Sequence, residues 1–164
     1  MLTLESRGKS FLLVLELTHE KERKDLLDTI FLHKRIAESP DLGSLVFFEA
    51  NRDIPFAFER VYYTYGVKEG VIRGHHAHKA LEQLLICVYG AIEITCDDGE
   101  KKEYSVLNDP SRGLYVGKGI WRTMKWLKDD SVLLVLASEY YAESDYIRDY
   151  DEFIRLVKEG YWKR

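Results

Sequence analysis

The chain of 164 residues has few prolines, few cysteines and no long apolar run, and each shortage excludes a class of protein. Three prolines and eleven glycines leave no low-complexity tract, and 13% aromatic residues are too many for a disordered chain. No apolar run reaches the roughly 18 residues of a membrane-spanning helix. The first one, Phe11–Leu15, is also too short for a signal peptide. Cys87 and Cys96 lack metal-binding spacing, which predicts buried, reduced thiols in a cytoplasmic protein.

The chain also lacks an excess of positive charge. It has 24 Lys and Arg residues against 28 Asp and Glu residues, so its formal net charge is −4. A mixed, slightly acidic surface does not attract nucleic acid or an anionic membrane as a whole. We therefore expect neither as a partner, and any anionic ligand needs a local basic cluster.

Short strand-like runs alternate with turn signals from about residue 29 onward. Asp98-Gly99 between two such runs is a strong hairpin signal. Many short strands without intervening helices predict an all-β fold, a jelly-roll β-barrel. Residues 145–157 have apolar positions at helical spacing and predict a short C-terminal helix. The strand-like runs are 29–36, 44–49, 59–66, 71–76, 83–89, 91–96, 102–107, 113–116, 122–127 and 131–138.

The first 28 residues differ from the rest in pattern. A short apolar strand at Phe11–Leu17 precedes a charged stretch, residues 18–25, that can open a helix with Thr18 as its N-cap. We interpret residues 1–28 as an N-terminal extension of unknown role, and residues 29–164 as one domain.

The residues that carry chemistry lie between Arg73 and Gly90. In an extended strand His76 and His78 point to the same face. This segment resembles the first cupin motif, and residues 117–122 resemble the second, but Gln83 stands at the acidic ligand position and Arg122 at that of the third histidine. An amide is a poor metal ligand and a guanidinium carries only donors. We therefore expect a barrel site without a metal.

A second group of polar residues lies on an earlier strand. Arg60 and Tyr62 share one face, and they face the cavity if Val61 packs under the sheet. Buried charge is costly without a partner, and guanidinium groups match phosphate oxygens, so this interior predicts an anionic ligand such as a diphosphate. The predicted partners of this anion are Arg60, Arg73 and Arg122, and Lys79 can add a point charge. Gln83, and Trp121 at the cavity rim, are the other predicted substrate-binding residues.

Longer segments carry a more specific signal, namely residues 54–56, 60–63, 73–79, 81–83, 109–110, 113–116, 121, 132–141 and 145–148. Together they resemble the dTDP-4-keto-6-deoxyglucose 3,4-ketoisomerases, cupin-fold enzymes of bacterial routes to 3-amino-3,6-dideoxyhexoses of surface polysaccharides. The resemblance spans residues 29–157. It implies isomerisation of dTDP-4-keto-6-deoxyglucose to a 3-keto sugar by a homodimer that exchanges its N-terminal strands. The implied reaction needs no cofactor, because the change of oxidation state is internal to the sugar.

The resemblance also implies a role for each candidate catalytic residue. His76 would remove the C3 proton, and His78 would move protons on the C4 side as an enediol collapses. Tyr62 would donate a hydrogen bond to the enediolate, and Arg60 would position the same oxygens. Histidine suits such work because its ordinary pKa, about 6.5, lies near neutral pH.

Several positions leave alternatives open. Leu42 stands where relatives often carry Arg or Tyr in a loop tied to the face of C4 that is protonated, so the product, galacto or gluco, is open. Glu82 and Glu139 can hydrogen-bond a base, orient a histidine, or be merely solvated or structural. By strand parity His75 faces away from His76, which predicts a structural role. Four tyrosines are predicted to be core or subunit contacts: Tyr140, Tyr141, Tyr146 and Tyr150.

Three other functions are compatible with a cupin barrel. A dTDP-sugar 3,5-epimerase would also abstract a proton beside the ketone, but it would leave the ketone at C4. A metal-dependent cupin oxygenase would need iron. A non-catalytic sugar-nucleotide binding protein would bind dTDP without exchanging the C3 proton.

Overall fold

A computed structural model describes residues 43–162 without a gap, and before them residues 3–6, 9–12, 21–23, 29–33 and 37–39. Thr18 and Leu42 lie outside the described residues. No helix in this described part is long and apolar enough to cross a membrane. The strands are β1 (Thr3–Ser6), β2 (Lys9–Leu12), β3 (Lys21–Arg23), β4 (Thr29–His33), β5 (Ala37–Ser39), β6 (Gly43–Leu45), β7 (Arg60–Thr64), β8 (Ile72–His78), β9 (Gln83–Tyr89), β10 (Ile92–Asp97), β11 (Lys102–Leu107), β12 (Arg112–Val116), β13 (Trp121–Trp126), β14 (Val132–Ala137) and β15 (Tyr146–Ile147).

Two antiparallel sheets form the body of the protein. One has the strand order β11-β10-β13-β8-β15, and the other has the order β3-β4-β12-β9-β14-β7. Apolar side chains of both sheets share one core, in which Ile94 and Trp126 of the first sheet meet Leu85, Val116 and Leu133 of the second. This is the packing of a β-sandwich closed around an apolar interior. The predicted all-β fold is confirmed.

The hairpin predicted at Asp98-Gly99 joins β10 to β11. Gly99 has φ +91°, a backbone conformation that favours glycine. The Asp98 carboxylate accepts the backbone N–H groups of Glu100 and Lys101 at 2.9 and 2.8 Å, so the side chain stabilises the turn. Cys87 and Cys96 are free and buried, as predicted.

Strand β8 contains a bulge in front of the histidine pair. His76 pairs with Arg122 of β13, whereas Gly74 pairs with Thr123, so His75 is an extra residue. Gly74 and His75 have φ +97° and +54°. A Cβ on Gly74 would lie 2.7 Å from the carbonyl oxygen of Arg122. His75 is exposed, and it is the extra residue of a bulge, so the simple alternation from which its structural role was predicted does not hold at this point of the strand.

The N-terminal region departs from its predicted structure. Lys21–Arg23 belong to the charged stretch that was interpreted as able to open a helix. They instead form strand β3 and pair with β4 at the edge of the larger sheet. The charged stretch offers no apolar stripe for a helix to bury, whereas the free edge of β4 offers backbone hydrogen bonds.

The C-terminal helix begins later than predicted. Residues 143–145 form a 3-10 turn, β15 pairs with β8, and helix α1 (Tyr150–Lys158) follows. The Asp149 side chain caps α1 by accepting the Glu152 N–H at 2.8 Å. Phe153 of α1 is fully buried in a cluster with Ala77 of β8 and Ile147 of β15. The helix thus holds β15 against the strand that carries the histidines.

We predict that Phe153→Ala lowers the free energy of unfolding by about 3–5 kcal/mol, because it leaves a cavity between α1, β8 and β15. Urea unfolding monitored by tryptophan fluorescence measures this change. Arg155→Ala, on the exposed face of the same helix, is the control, and its effect should stay within about 0.5 kcal/mol. Equal effects of the two substitutions would contradict this assignment of the helix contact.

Candidate active site

A cavity of about 380 Å³ lies between the two sheets. Strands β8 and β13 form one wall, and β7, β9 and β14 form the other, while the segment after β14 closes one side. The lining residues are Arg60, Tyr62, Thr64, Arg73, Gly74, His76, Gln83, Leu85, Arg122, Met124, Trp126, Leu133, Val135, Tyr141, Tyr146 and Arg148.

His76 and His78 lie side by side at the end of β8. Their ring centroids are 4.8 Å apart with the rings nearly perpendicular, and Tyr146 packs against both. His76 lines the cavity, whereas His78 is fully buried behind it. Burial, and then the charge of Arg122, lower the pKa of His76 to about 4. The same two causes hold the pKa of His78 further below its usual range, so both rings are neutral at neutral pH.

Arg122 is the cross-strand neighbour of His76 and is 1% exposed. Its Nη2 donates to the Gly117 carbonyl at 3.4 Å, but its Nε and Nη1 have no partner among the described residues. Burial lowers the pKa of this guanidinium to about 10. A buried cation with free N–H groups in a cavity wall is a ready donor to ligand oxygens.

Tyr62 and Gln83 form a hydrogen-bonded pair across β7 and β9. The Gln83 Nε2 donates to the Tyr62 hydroxyl oxygen at 2.8 Å, so the hydroxyl proton remains available to another acceptor. Burial, before any other cause, raises the pKa of Tyr62. The Arg60 guanidinium lies 5.2 Å from the centre of the Tyr62 ring. Arg60 and Tyr62 face the cavity as predicted, but Val61 is 52% exposed on the outer face and does not pack under the sheet.

The segment after β14 adds residues that the sequence did not indicate. Tyr141 and Tyr146, predicted as core or subunit contacts, line the cavity, and so does Arg148. Arg148 lies 4.3 Å from the centre of the Tyr146 ring and donates to both Glu143 carboxylate oxygens, at 2.7 and 3.1 Å. These bonds, and one from the Tyr141 hydroxyl, lower the pKa of Glu143 to about 2. The segment has no strand periodicity, so its inward face cannot be found from the sequence.

Two of the predicted binding residues do not line the cavity. Trp121 packs on Tyr150 and Phe153, with ring centroids 5.1 and 5.7 Å away. Lys79 donates from Nζ to the Ser144 carbonyl at 2.8 Å. Trp121 immediately precedes Arg122, so when that guanidinium points inward the indole points to the other face of the sheet.

The carboxylate that contacts a histidine is neither of the two predicted candidates, Glu82 and Glu139. Asp145 Oδ2 lies 2.8 Å from His78 Nδ1. Of the two candidates, Glu82 accepts a hydrogen bond from Tyr115, and Glu139 is exposed. Glu82 is close to the histidines in sequence, and Glu139 lies in one of the segments that carry the family resemblance. Asp145 reaches His78 only because β15 returns to pair with β8.

Within the described residues, no group of three or more His, Cys, Asp or Glu side chains stands close enough to hold a metal ion. The amide of Gln83 and the guanidinium of Arg122 also line this cavity, and both are unsuited to bind a cation. The expectation of a site without a metal rests on this chemistry and stays a prediction.

Most of the chain is similar to proteins that are already known. The family model described as FdtA: WxcM-like, C-terminal, matches residues 28–158. A TDP-4-oxo-6-deoxy-alpha-D-glucose-3,4-oxoisomerase from Aneurinibacillus thermoaerophilus is 47% identical over 133 residues, which cover 77% of this chain and 94% of that protein.

Two crystal structures are also similar to this chain. That of a 3,4-ketoisomerase from Helicobacter canadensis has a TM-score of 0.76 and 45% identity, over 80% of this chain and 98% of the other. That of a His-to-Asn mutant of the 3,4-ketoisomerase QdtA from Thermoanaerobacterium thermosaccharolyticum, in complex with TDP-4-keto-6-deoxyglucose, has a TM-score of 0.78 and 42% identity. The match covers 84% of this chain and 99% of the QdtA chain.

The fold, the cavity and these relatives together define an isomerase of the cupin fold. The chain belongs to the family whose model is described as FdtA: WxcM-like, C-terminal. The family resemblance predicted from the sequence motifs is thereby confirmed, and the matched residues 28–158 agree with the span of 29–157 expected from those motifs.

We predict that the free energy of unfolding falls more steeply between pH 7 and about pH 4 in the wild type than in His76→Asn. In the unfolded state this imidazole takes up a proton near its ordinary pKa of 6.5, whereas the folded state holds the ring neutral down to about pH 4. The unfolded chain therefore binds more protons in this window, and stability is lost as the pH falls. Urea unfolding at several pH values measures the two slopes.

The control for this comparison is His75→Asn. It removes an exposed imidazole from the position before His76, and asparagine tolerates the positive φ there. The same difference in slope for both variants would contradict a buried neutral state of His76 as its cause.

Proposed function

We propose that the chain converts dTDP-4-keto-6-deoxyglucose into a dTDP-3-keto-6-deoxyhexose by proton transfer through an enediol. The observation that carries this proposal is His76, a neutral imidazole in a cavity wall beside the unpaired N–H groups of Arg122. A 47% identical relative named as a 3,4-oxoisomerase of this sugar supports the choice of substrate.

The reaction moves two protons and exchanges no electrons with a cofactor. A base removes the proton from C3, and the electron pair of that bond forms the C3–C4 double bond of an enediolate whose charge lies on the C4 oxygen. That oxygen is then protonated, the C3 hydroxyl loses its proton, and C4 receives one from an acid. The ketone is then at C3, and atoms and charge balance within the sugar.

His76 is the base in this proposal. Its ring lines the cavity, and a pKa of about 4 keeps it unprotonated at neutral pH, as a base requires. The low pKa makes it a weak base, so the enediolate needs strong electrostatic stabilisation. The free N–H groups of Arg122 are placed in the same wall to supply it.

Tyr62, Arg60 and Gln83 support the same step from the opposite wall. The amide of Gln83 fixes the phenol oxygen, so the hydroxyl proton of Tyr62 points to another acceptor, and the enediolate oxygen is that acceptor in this proposal. Arg60 contributes positive charge beside the phenol. These groups are held in place before the substrate binds, which reduces the reorganisation required in the transition state.

The diphosphate of the nucleotide requires cations at the mouth of the cavity. Arg73 is exposed and also lines the cavity, which suits a residue that meets a solvent-facing phosphate. We propose Arg73, Gln83 and Arg122 as substrate-binding residues. Lys79 and Trp121 are left out of this set because their side chains contact other parts of the protein and not this cavity.

The remaining expectations from the family resemblance are also proposals. They are a cytoplasmic homodimer with exchanged N-terminal strands, and a role in making 3-amino-3,6-dideoxyhexoses for a bacterial surface polysaccharide. Val61, Tyr63 and Tyr65 are exposed at the edge strand β7 and just beyond it, and apolar groups at a sheet edge are suited to pairing with a second copy.

We predict that incubation with dTDP-4-keto-6-deoxyglucose in deuterium oxide yields a product with its ketone at C3 and deuterium at C4. Proton and carbon NMR of the product measures both. Deuterium incorporation with the ketone still at C4 would instead indicate a 3,5-epimerase. Binding of dTDP with no exchange of the C3 proton would indicate a binding protein without catalysis.

We predict that His76→Asn lowers kcat by at least about 100-fold, because a positioned base contributes roughly that much or more. The affinity for dTDP, measured by calorimetry, should change little, since in this proposal the His76 ring acts on the sugar and does not bind the nucleotide. His75→Asn, which replaces the exposed neighbour, is the matched control and should retain turnover. Turnover near the wild-type rate in His76→Asn would remove this residue from the role of base.

A further inference from the structure

The carboxylate of Asp145 is held in one orientation by bonds to both of its oxygens. Its Oδ1 accepts the Ala80 N–H at 2.8 Å, and its Oδ2 meets His78 Nδ1 at 2.8 Å. The backbone is anchored as well, because the Asp145 carbonyl accepts the Lys79 N–H at 2.9 Å and Tyr146 pairs with His78 in the β8–β15 ladder. Neither oxygen can turn away from its partner without breaking a bond.

This contact determines which nitrogen of His78 carries the proton. A carboxylate only accepts, and a neutral imidazole has a single N–H. His78 is fully buried and neutral, so a hydrogen bond to Asp145 requires the proton on Nδ1. Its Nε2 is then an unprotonated lone pair, and this atom is buried without a hydrogen-bond partner among the described residues.

The ring that carries this free lone pair packs against two residues of the cavity wall. The rings of His76 and Tyr146 are 4.8 and 4.4 Å from that of His78, centre to centre, and both line the cavity. A nitrogen that enters the reaction with a free lone pair can accept a proton, but it has no proton to donate. When Nε2 accepts a proton, the ring becomes an imidazolium, and the Asp145 carboxylate at Nδ1 stabilises that charge.

We infer that Asp145 is a positioning residue that holds His78 as the Nδ1–H tautomer, so that His78 enters the reaction as a proton acceptor. The catalytic meaning of this assignment rests on the proposed function. In that reaction the proton that leaves the C3 hydroxyl needs a temporary acceptor. His78 Nε2 provides it through the neighbouring groups that line the cavity, and then returns the proton. The tautomer itself is a property of the protein without substrate.

The test is the tautomer of His78 in the full chain, measured by ¹⁵N–¹H long-range correlation NMR after labelling of its five histidines. The signals that disappear in His78→Asn assign the ring. We expect a protonated Nδ1 and an unprotonated Nε2 in the wild type. A protonated Nε2 in the wild type would overturn the inference. This measurement is made on the wild-type chain, so it does not depend on whether an Asp145 variant folds.

Asp145→Asn tests the cause. An asparagine keeps an oxygen for the Ala80 N–H and turns its NH₂ group to His78 Nδ1, so the ring should switch to the Nε2–H tautomer. We expect kcat to fall by roughly 100-fold or more, as for loss of an acid–base group, while KM changes little because Asp145 does not line the cavity. An unchanged tautomer together with unchanged kcat would overturn the inference.

The matched control is Asp129→Asn. Asp129 also accepts a backbone N–H, that of Glu69 at 2.7 Å, but on an exposed turn away from the cavity. This variant should keep both the His78 signals and kcat. If the wild type shows the expected tautomer yet no movement of the ketone, the proposed function fails while the assignment of Asp145 to the tautomer stands.

Discussion

The buried guanidinium of Arg122, opposite His76 in the β8–β13 ladder, is the interaction on which the site depends. Its charge, added to the effect of burial, lowers the pKa of both neighbouring imidazoles and keeps them neutral. In turn, its own free N–H groups have no partner in the surrounding protein that the structure describes. The cavity wall therefore combines one neutral base, His76, with an unsatisfied cation, which is the arrangement needed to form and hold an oxyanion.

Two features of the backbone make this arrangement possible. The bulge at Gly74 and His75 inserts one residue into β8, so that the following histidines face the interior opposite Arg122. Strand β15 then returns along the other edge of β8 and brings Asp145 to His78. Phe153 of α1 packs against both strands and holds this return in place. A short helix outside the barrel is thus part of the support of the site.

Alternation of side chains across a strand explains both the correct and the incorrect expectations. It correctly placed Arg60 and Tyr62 on one face, because β7 is a regular strand. It also excludes Trp121 from the cavity once Arg122 is inside, although Trp121 was predicted at the cavity rim. The packing of Val61 under the sheet was the condition attached to the placement of Arg60 and Tyr62, but Val61 is exposed because β7 is an edge strand and its outer face is open. Alternation shows only which side chains of a strand share a face. Which of the two faces is buried depends on what packs against the strand.

The amino-acid sequence by itself determined the all-β class, the hairpin at Asp98-Gly99, the family and the histidine pair, because turn chemistry and strand period act over a few neighbouring residues. Only the tertiary structure decided that Asp145 contacts His78 and that Tyr146 and Arg148 line the cavity. These residues follow β14 in a segment without strand periodicity, and they reach the histidines through pairing between strands that are distant in sequence. A contact of that kind depends on how the whole chain packs, and no local pattern encodes it.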